Sequence, residues 1–530
     1  MSVPSPERPP EPTAPVAEDG GTAWPFTPTA RRLWPWLGWL LVSFGLWNSC
    51  ASHADARWSE GQLARGGLRL TPAFALAVLR GAGTDDGDIS RYLAYANATL
   101  GRPYQRFYVR PLEGWIAPQP DQATGADPDD PQQTPPRRPD RPLVPYRDFS
   151  VEYPPGFFLL AVPPALLGLD LDGYRLVFSC WMALLLTAAL LAAIRIGRVL
   201  RPLAPPSPVA LATVLALALG TVAVRRFDAI VSLSLCLFLD GCLRRRPVLS
   251  GLALGVGLVT KLVPVLVVPL AVIHWTALRR WRELAVAAGV TAAVVLVVGV
   301  PFLLAAGTHL LDLLHYHAGR PLEVESTGAA LLTIGRFFDP ASAWRVEGYG
   351  FDNVVGPADR FLLPLADLAP LVATALIAGW GLVQTRAAWR GADGERVSGE
   401  VLVRAACATL AASMTLGKVF SAQYLTWLLP AGALVSLLDG GSRRRTGIYL
   451  LAAAMLLTQL NQHLFYGLLG RGPEPLLGVL ILARNALLMA WAVWILVPAP
   501  DSRSPAGIRR PDPVADDFHR ARQSITTSLH

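Results

Sequence analysis

The side chains in this chain that could carry chemistry fall in three stretches. The first, TDDGDISRYLAYANATLGRPY at residues 84–104, presents Asp85, Asp86 and Asp88. The second, PYRDFSVEYPPG at residues 145–156, adds Asp148 and Glu152. A carboxylate near neutral pH can remove a proton from a hydroxyl as that hydroxyl attacks; a solvated acidic loop is the simpler alternative. The three aspartates lack the glycine and distal glutamate of an EF-hand. The third stretch, HLLDLLHYHAGRPLEVES at residues 309–326, holds His309, His315, His317, Arg320, Glu323 and Glu325. His315 and His317 stand two apart, the wrong spacing for one helical face, so zinc is not expected. His317 and Arg320 suit either an anionic ligand or interfacial anchoring. No metal and no cofactor is expected.

A further set of cations stands out by position. The chain has only two lysines, Lys261 and Lys418; every other basic side chain among the 47 Lys and Arg is arginine. Both lysines, with Arg225 and Arg226, interrupt long apolar runs. Ionisable groups at membrane depth usually face a cavity and bind something. An anionic ligand would explain all four together; snorkelling or local pairing, such as Arg225 with Asp228 three residues on, is the alternative.

The elements that must position these groups are transmembrane helices. Of the 530 residues 52% are hydrophobic and 16% charged, with a mean hydropathy of +0.38. Soluble proteins carry about 25% charged residues. The net charge of +8 is spread in short clusters between apolar runs, a membrane-topology pattern that argues against nucleic acid. The five cysteines show neither a ligand spacing nor a disulfide framework.

Arginine clusters should mark the cytoplasmic side. They place the first span at Leu33–Ala51 and require Val209–Cys242 to turn near Arg225-Arg226, Val248–Ala277 near Lys261, Val401–Leu438 near Lys418, and Tyr449–Val497 near Arg471. With Tyr174–Ile194, Leu284–Ala306 and roughly Phe361–Val383, the expectation is an all-α polytopic membrane protein of about twelve transmembrane helices. Phe157–Gly168 reads as re-entrant or lying on the outer face. The organisation expected is a disordered cytoplasmic tail at 1–30 with no signal-peptide core, a transmembrane domain at 31–497, and a polar cytoplasmic tail at 498–530. Large outer loops should occupy about 52–173, with a disordered insert at 105–144, and 307–358, with an apolar patch near Ala329–Phe338.

On these motifs the chain resembles glycosyltransferase family 87 of the GT-C superfamily. The resemblance is carried by DISRYLAYANATLGRPY, PYRDFSVEYPPG, RRFDAIVSLSLCLFLDGCLRRRPVLSGLALGVGLVTKLVP, HYHAGRPLEVES and GKVFSAQYLTWLLP, in that order. It departs where about forty residues separate Tyr104 from Pro145, which puts the acceptor in doubt. The resemblance implies a GT-C-like fold and a bacterial plasma (inner) membrane enzyme with both termini cytoplasmic and its active site on the outer face. It implies inverting transfer of a hexose, mannose by analogy, from a polyprenyl-phosphate sugar donor to a glycan or glycolipid acceptor. Asp88, four residues before Tyr92, matches the family's catalytic aspartate as general base; Asp86 is the runner-up, and Glu152 would orient the acceptor or the loop. Lys261, His317, Arg225, Arg226, Arg320 and Lys418 would stabilise the leaving phosphate, Lys261 and His317 foremost. Tyr92, Arg147, Asp148, Tyr153, Gln423 and Tyr424 complete the expected site. The rival class is a lipid-linked sugar flippase or transporter, against which stands the lack of similarity between residues 33–278 and 284–497.

Overall fold

The computed structural model describes residues 87–111, 136–201, 219, 222–389, 394–468 and 475–497. The expected first span, both tails, Asp85, Asp86, residues 112–135 of the insert and the turn at Arg471 lie outside the described residues.

The chain enters with α1 (Gly87–Thr99), which carries Asp88 in its first turn, where the exposed N–H groups favour negative charge. The described end 136–144 of the 105–144 stretch packs back on this region: Tyr104 bridges Arg137, and Leu143 N donates to Ala98 O at 2.9 Å. A 3-10 turn at Pro155–Phe157 leads into the nine-residue α2 (Phe158–Leu166). That helix is about 14 Å long, too short to cross a bilayer.

Five helical stretches are long and apolar enough to span, by length and composition: α3 (Leu171–Leu200), the continuous run Trp281–Gly319, α11 (Asp359–Ala388), α12 (Gly394–Leu416) and α15 (Pro475–Leu496). The run comprises α8 (Trp281–Ala306), a 3-10 turn and α9 (Asp312–Gly319). The count of about twelve is not reached among the described residues, because the apolar runs with internal cations are broken into shorter pieces. These are α4 (Val222–Arg225) and α5 (Asp228–Leu243) around Arg226, then α6 (Pro247–Thr260) and α7 (Val268–Ala277) around Lys261. Past Lys418 the chain makes a 3-10 turn, Ala422–Tyr424, and continues as α13 (Leu425–Leu438). α14 (Gly441–Leu468) precedes α15. The break at Lys261 has a covalent cause. Pro264 lacks an N–H, and its ring would strike the carbonyl of Thr260 if the helix continued.

α5, α12 and α13 form the packed centre with α3. α8 lies outermost, with only 6% of its apolar window buried. Its exposed Leu296, Val297 and Leu304 are what a lipid-facing helix shows.

The region 320–358 departs from the all-α expectation. It folds as a three-stranded antiparallel sheet, β1 (Leu322–Glu323), β2 (Trp344–Gly348) and β3 (Phe351–Val355), in the order β1-β3-β2. Tyr349 at φ +59° and Gly350 at φ +70° make the β2–β3 turn, the positive-φ pair that a tight hairpin requires. α10 (Thr327–Gly335) is capped by Ser326, whose hydroxyl accepts from Ala329 N at 3.1 Å. It packs Ala329, Ala330 and Leu332 with Leu477 and Ile481 of α15. The apolar patch near Ala329–Phe338 is therefore partly a helix docked on a span.

Candidate active site

The broken helices and the sheet converge on one cluster. Asp88 Oδ2 lies 2.6 Å from Arg226 Nε, at the α4–α5 break. Its Oδ1 lies 3.7 Å from Arg91 Nη1, one turn along α1. Arg91 Nη1 donates to Glu152 Oε1 at 2.7 Å, and Tyr95 Oη donates to Glu152 Oε2 at 2.7 Å. Arg91 Nη2 reaches Gly350 O at 3.1 Å. The carboxylate of the EYPP segment is thus locked between two residues of α1 and tied to the sheet hairpin. The backbone of Glu152 also binds His317, Nε2 to O at 3.0 Å.

The EYPPG turn can sit here because residue 156 is glycine. A Cβ on Gly156 would stand 2.6 Å from Val259 O, so the turn lies flush against the last turn of α6, just before Lys261. Lys261 Nζ binds Asp228 Oδ1 at 2.7 Å, and Trp427 Nε1 donates to the same oxygen at 2.7 Å. The ammonium sits 4.4 Å from the Tyr424 ring centroid, 5.0 Å from Trp427 and 5.2 Å from Phe227. Asp228 therefore partners Lys261, not Arg225 as helical spacing suggested. Arg225 is buried at 2% exposure, while its neighbour Arg226 reaches Asp88.

Arg320 is differently placed. It is 4% exposed, and its Nε and Nη2 have no hydrogen-bond partner among the described residues. Its guanidinium lies 4.5 Å from the Phe351 ring, against which Arg91 also stands at 5.2 Å. Phe351 is thus shared by a cation tied to Asp88 and a buried cation with free donors. Glu323 accepts from Ser421 Oγ at 2.6 Å, and burial pushes its carboxyl up from the usual range. Lys418 pairs with Asp367 at 3.0 Å and donates to Ala318 O at 2.9 Å, and its carbonyl accepts from Glu323 N. Burial likewise raises the phenols of Tyr92, Tyr95 and Tyr153, so all three are neutral hydroxyls near neutral pH. Tyr92 packs edge-on to Tyr153, Phe157 and Phe227 beneath Asp88.

The structure accordingly brings together Asp88, Glu152, Arg226, His317, Tyr92 and Tyr153, with Lys261 and Tyr424 joined through Phe227. Gln423 sits in the 3-10 turn beside Tyr424. Arg147 and Asp148 stand elsewhere. Asp148 accepts from Arg141 at 2.7 Å, Val144 N at 2.8 Å and Arg147 at 3.2 Å, and Arg147 reaches Ala305 O. The hydrogen bond from Arg141 holds the Asp148 carboxyl well below its usual range. Both residues close their own loop. Sequence reasoning missed Arg91, Phe351 and Trp427, and took Asp228 only as a partner for Arg225. Arg91 lies inside a quoted motif, one turn after Asp88, and that spacing was the available signal.

Five stretches suited to cross a bilayer, beside shorter apolar helices that end at paired charges next to a buried carboxylate, fit a polytopic membrane enzyme. Residues 151–413 match the model of glycosyltransferase family 87, and the chain is a glycosyltransferase. The matched region contains Glu152, Arg226, Lys261, His317 and Arg320, and Asp88 precedes it. No curated protein sequence matches. Among solved structures, ArnT from Cupriavidus metallidurans in the apo state aligns at 15% identity and a TM-score of 0.35, covering 80% of this chain and 75% of that one. The same protein bound to undecaprenyl phosphate aligns at 16% identity and a TM-score of 0.31, covering 65% and 66%. Likeness at this level carries no inference about this chain.

Proposed function

We propose that this glycosyltransferase moves a hexose, mannose by family resemblance, from a polyprenyl phosphate to a hydroxyl of a glycan or glycolipid acceptor, with inversion, at the outer face of a bacterial plasma membrane. Asp88 takes the acceptor proton on Oδ1, the oxygen that Arg226 does not hold. The acceptor oxygen forms the new bond to the anomeric carbon as the bond from that carbon to the phosphate oxygen breaks. The departing phosphate carries the developing charge, and cations held in place beforehand stabilise it without reorganising.

One observation carries this reading. Lys261, Arg226 and Lys418 each already have a carboxylate partner, whereas buried Arg320 has two N–H groups unmatched among the described residues. A buried guanidinium with free donors costs stability unless something fills them, and a phosphate matches its fork geometry. Arg320 therefore becomes the foremost phosphate ligand, with His317 beside it; Lys261, Arg225, Arg226 and Lys418 set the field around it. Glu152 fixes the loop through Arg91 and Tyr95. A lipid-linked donor accounts for a site built where spans break, since its tail lies among helices while its phosphate meets polar groups.

The test is transfer by the purified full chain in detergent, without ion gradients, from polyprenyl-phosphate mannose to candidate acceptors. Transfer is expected, and Asp88→Asn should abolish it while the variant still accumulates in membranes. Turnover near wild type in that variant would remove Asp88 from the role. No transfer from any polyprenyl-phosphate sugar would remove the donor assignment.

A further inference from the structure

The region 320–358 carries an apolar surface that the candidate site does not use. α10 buries one face on α15, yet the turn that ends it delivers Phe337 and Phe338 to the outside, 60% and 90% exposed. Leu331 on α10 is 44% exposed, and Trp344 at the start of β2 is 51% exposed. The chain between them doubles back: Ser342 N donates to Asp339 O at 3.0 Å, and Ser342 Oγ approaches Gly335. Single exposed apolar side chains are ordinary, but four large ones within residues 331–344 form a patch that calls for a partner.

The surroundings identify the partner's chemistry. α10 packs against both α15 and α11, two of the stretches suited to span a bilayer. The first turns of those helices show Leu476 at 63% and Phe361 at 66% exposure. Such side chains belong in lipid, and the patch continues their surface at the same end of the bundle. Aromatic side chains concentrate where acyl chains give way to headgroups. Arg336, half-buried and next to Phe337, brings a guanidinium to the same stretch, and a guanidinium suits a lipid phosphate.

We infer that residues 331–344 form an interfacial anchor, seated in the lipid surface beside the first turns of α11 and α15. The anchor also has a role toward the site. α10 starts at Thr327, and the strand β1 that precedes it starts two residues after Arg320. A fixed depth for α10 therefore fixes the depth of the Arg320 donors. That consequence rests on the proposed lipid-linked donor; the docking itself does not.

The experiment places p-benzoylphenylalanine at position 338 of the full chain, in nanodiscs of phosphatidylcholine and phosphatidylglycerol, and reads the photoproduct by mass spectrometry. The same label at Leu304 on lipid-facing α8 serves as positive control, and at Arg141 in the exposed loop as negative control. A phospholipid adduct at 338 comparable to that at 304 is expected. Cross-links to residues 1–86, to a second copy of the chain or to another protein would overturn the docking, as would an adduct yield no higher than at 141. A second measurement addresses the role. Phe337→Ser with Phe338→Ser should raise the KM for a long-chain polyprenyl-phosphate sugar several-fold in nanodiscs and leave that for a short-chain, water-soluble donor unchanged. Equal loss with both donors would point to a misfolded loop and overturn the depth-setting role, while the photoproduct would still report the docking.

Discussion

Asp88 and its neighbours show how a charge earns meaning from its partner. As isolated residues, Lys261, Arg226 and Arg320 are equivalent candidates to meet an anion. In the fold, Lys261 is held by Asp228 and an aromatic cage, and Arg226 by Asp88. Arg320 alone among these three has no carboxylate within ion-pair distance among the described residues, and its Nε and Nη2 lack a hydrogen-bond partner there. Removing one such donor from a developing anion costs about 10²–10³-fold in rate. Arg320→Gln should therefore lower transfer by about that range, and Arg320→Lys by less but still markedly, because an ammonium lacks the fork geometry. Steady-state kinetics with the lipid-linked donor provides the check. A fall in kcat would mark contact with the leaving phosphate, and wild-type kinetics in the Gln variant would return the role to Lys261 or His317.

At the scale of elements, the site is assembled from helix ends. The positive-inside pattern made the breaks at Arg226, Lys261 and Lys418 legible, and Pro264 supplies the local cause for one of them. The sheet was not legible. Its strands are two to five residues long, too short for an alternation to register against an apolar background. Gly156 makes a tight contact between elements near the site. Gly156→Ala would push a Cβ into Val259 O and displace the EYPP turn, whose backbone carbonyl holds His317. Overpacking of this kind costs about 1–3 kcal/mol. The expected outcome is a lowered thermal midpoint in detergent together with loss of transfer. An unchanged midpoint would mean that α6 yields without cost.

Across the whole molecule, ion pairs distant in sequence join the region 320–358 to the last helix. Arg484 of α15 pairs with Glu325, donates to the Glu325 carbonyl at 2.8 Å and covers the Phe420 ring at 4.0 Å. Asn485 adds a bond to Thr327 at 3.0 Å. Arg484→Met would remove one side of the buried Arg484–Glu325 ion pair, a loss of about 3–5 kcal/mol for a broken buried pair. Pairing it with Glu325→Leu should recover much of that. Thermal unfolding of the purified single and double variants measures both, and a single variant as stable as wild type would show that the pair holds nothing in place. Other arginines are paired too: Arg245 and Arg280 meet Glu395, and Arg404 and Arg443 meet Asp439. Arg245, Arg280 and Arg443 come from clusters expected to face the cytoplasm, while Arg404 lies within the apolar run at Val401–Leu438.

The sequence by itself determined that the chain enters lipid repeatedly, where its apolar runs are interrupted, and which short motifs carry the resemblance to the family. Those properties are local: hydropathy, proline geometry and the charge beside a span act over a few residues. Only the tertiary structure decided which charges neutralise one another. Lys261 meets Asp228 across 33 residues, Arg91 meets Glu152 across 61, and Arg484 meets Glu325 across 159. Pairing in a low-dielectric interior depends on separation in space, and a sequence states separation only along the chain.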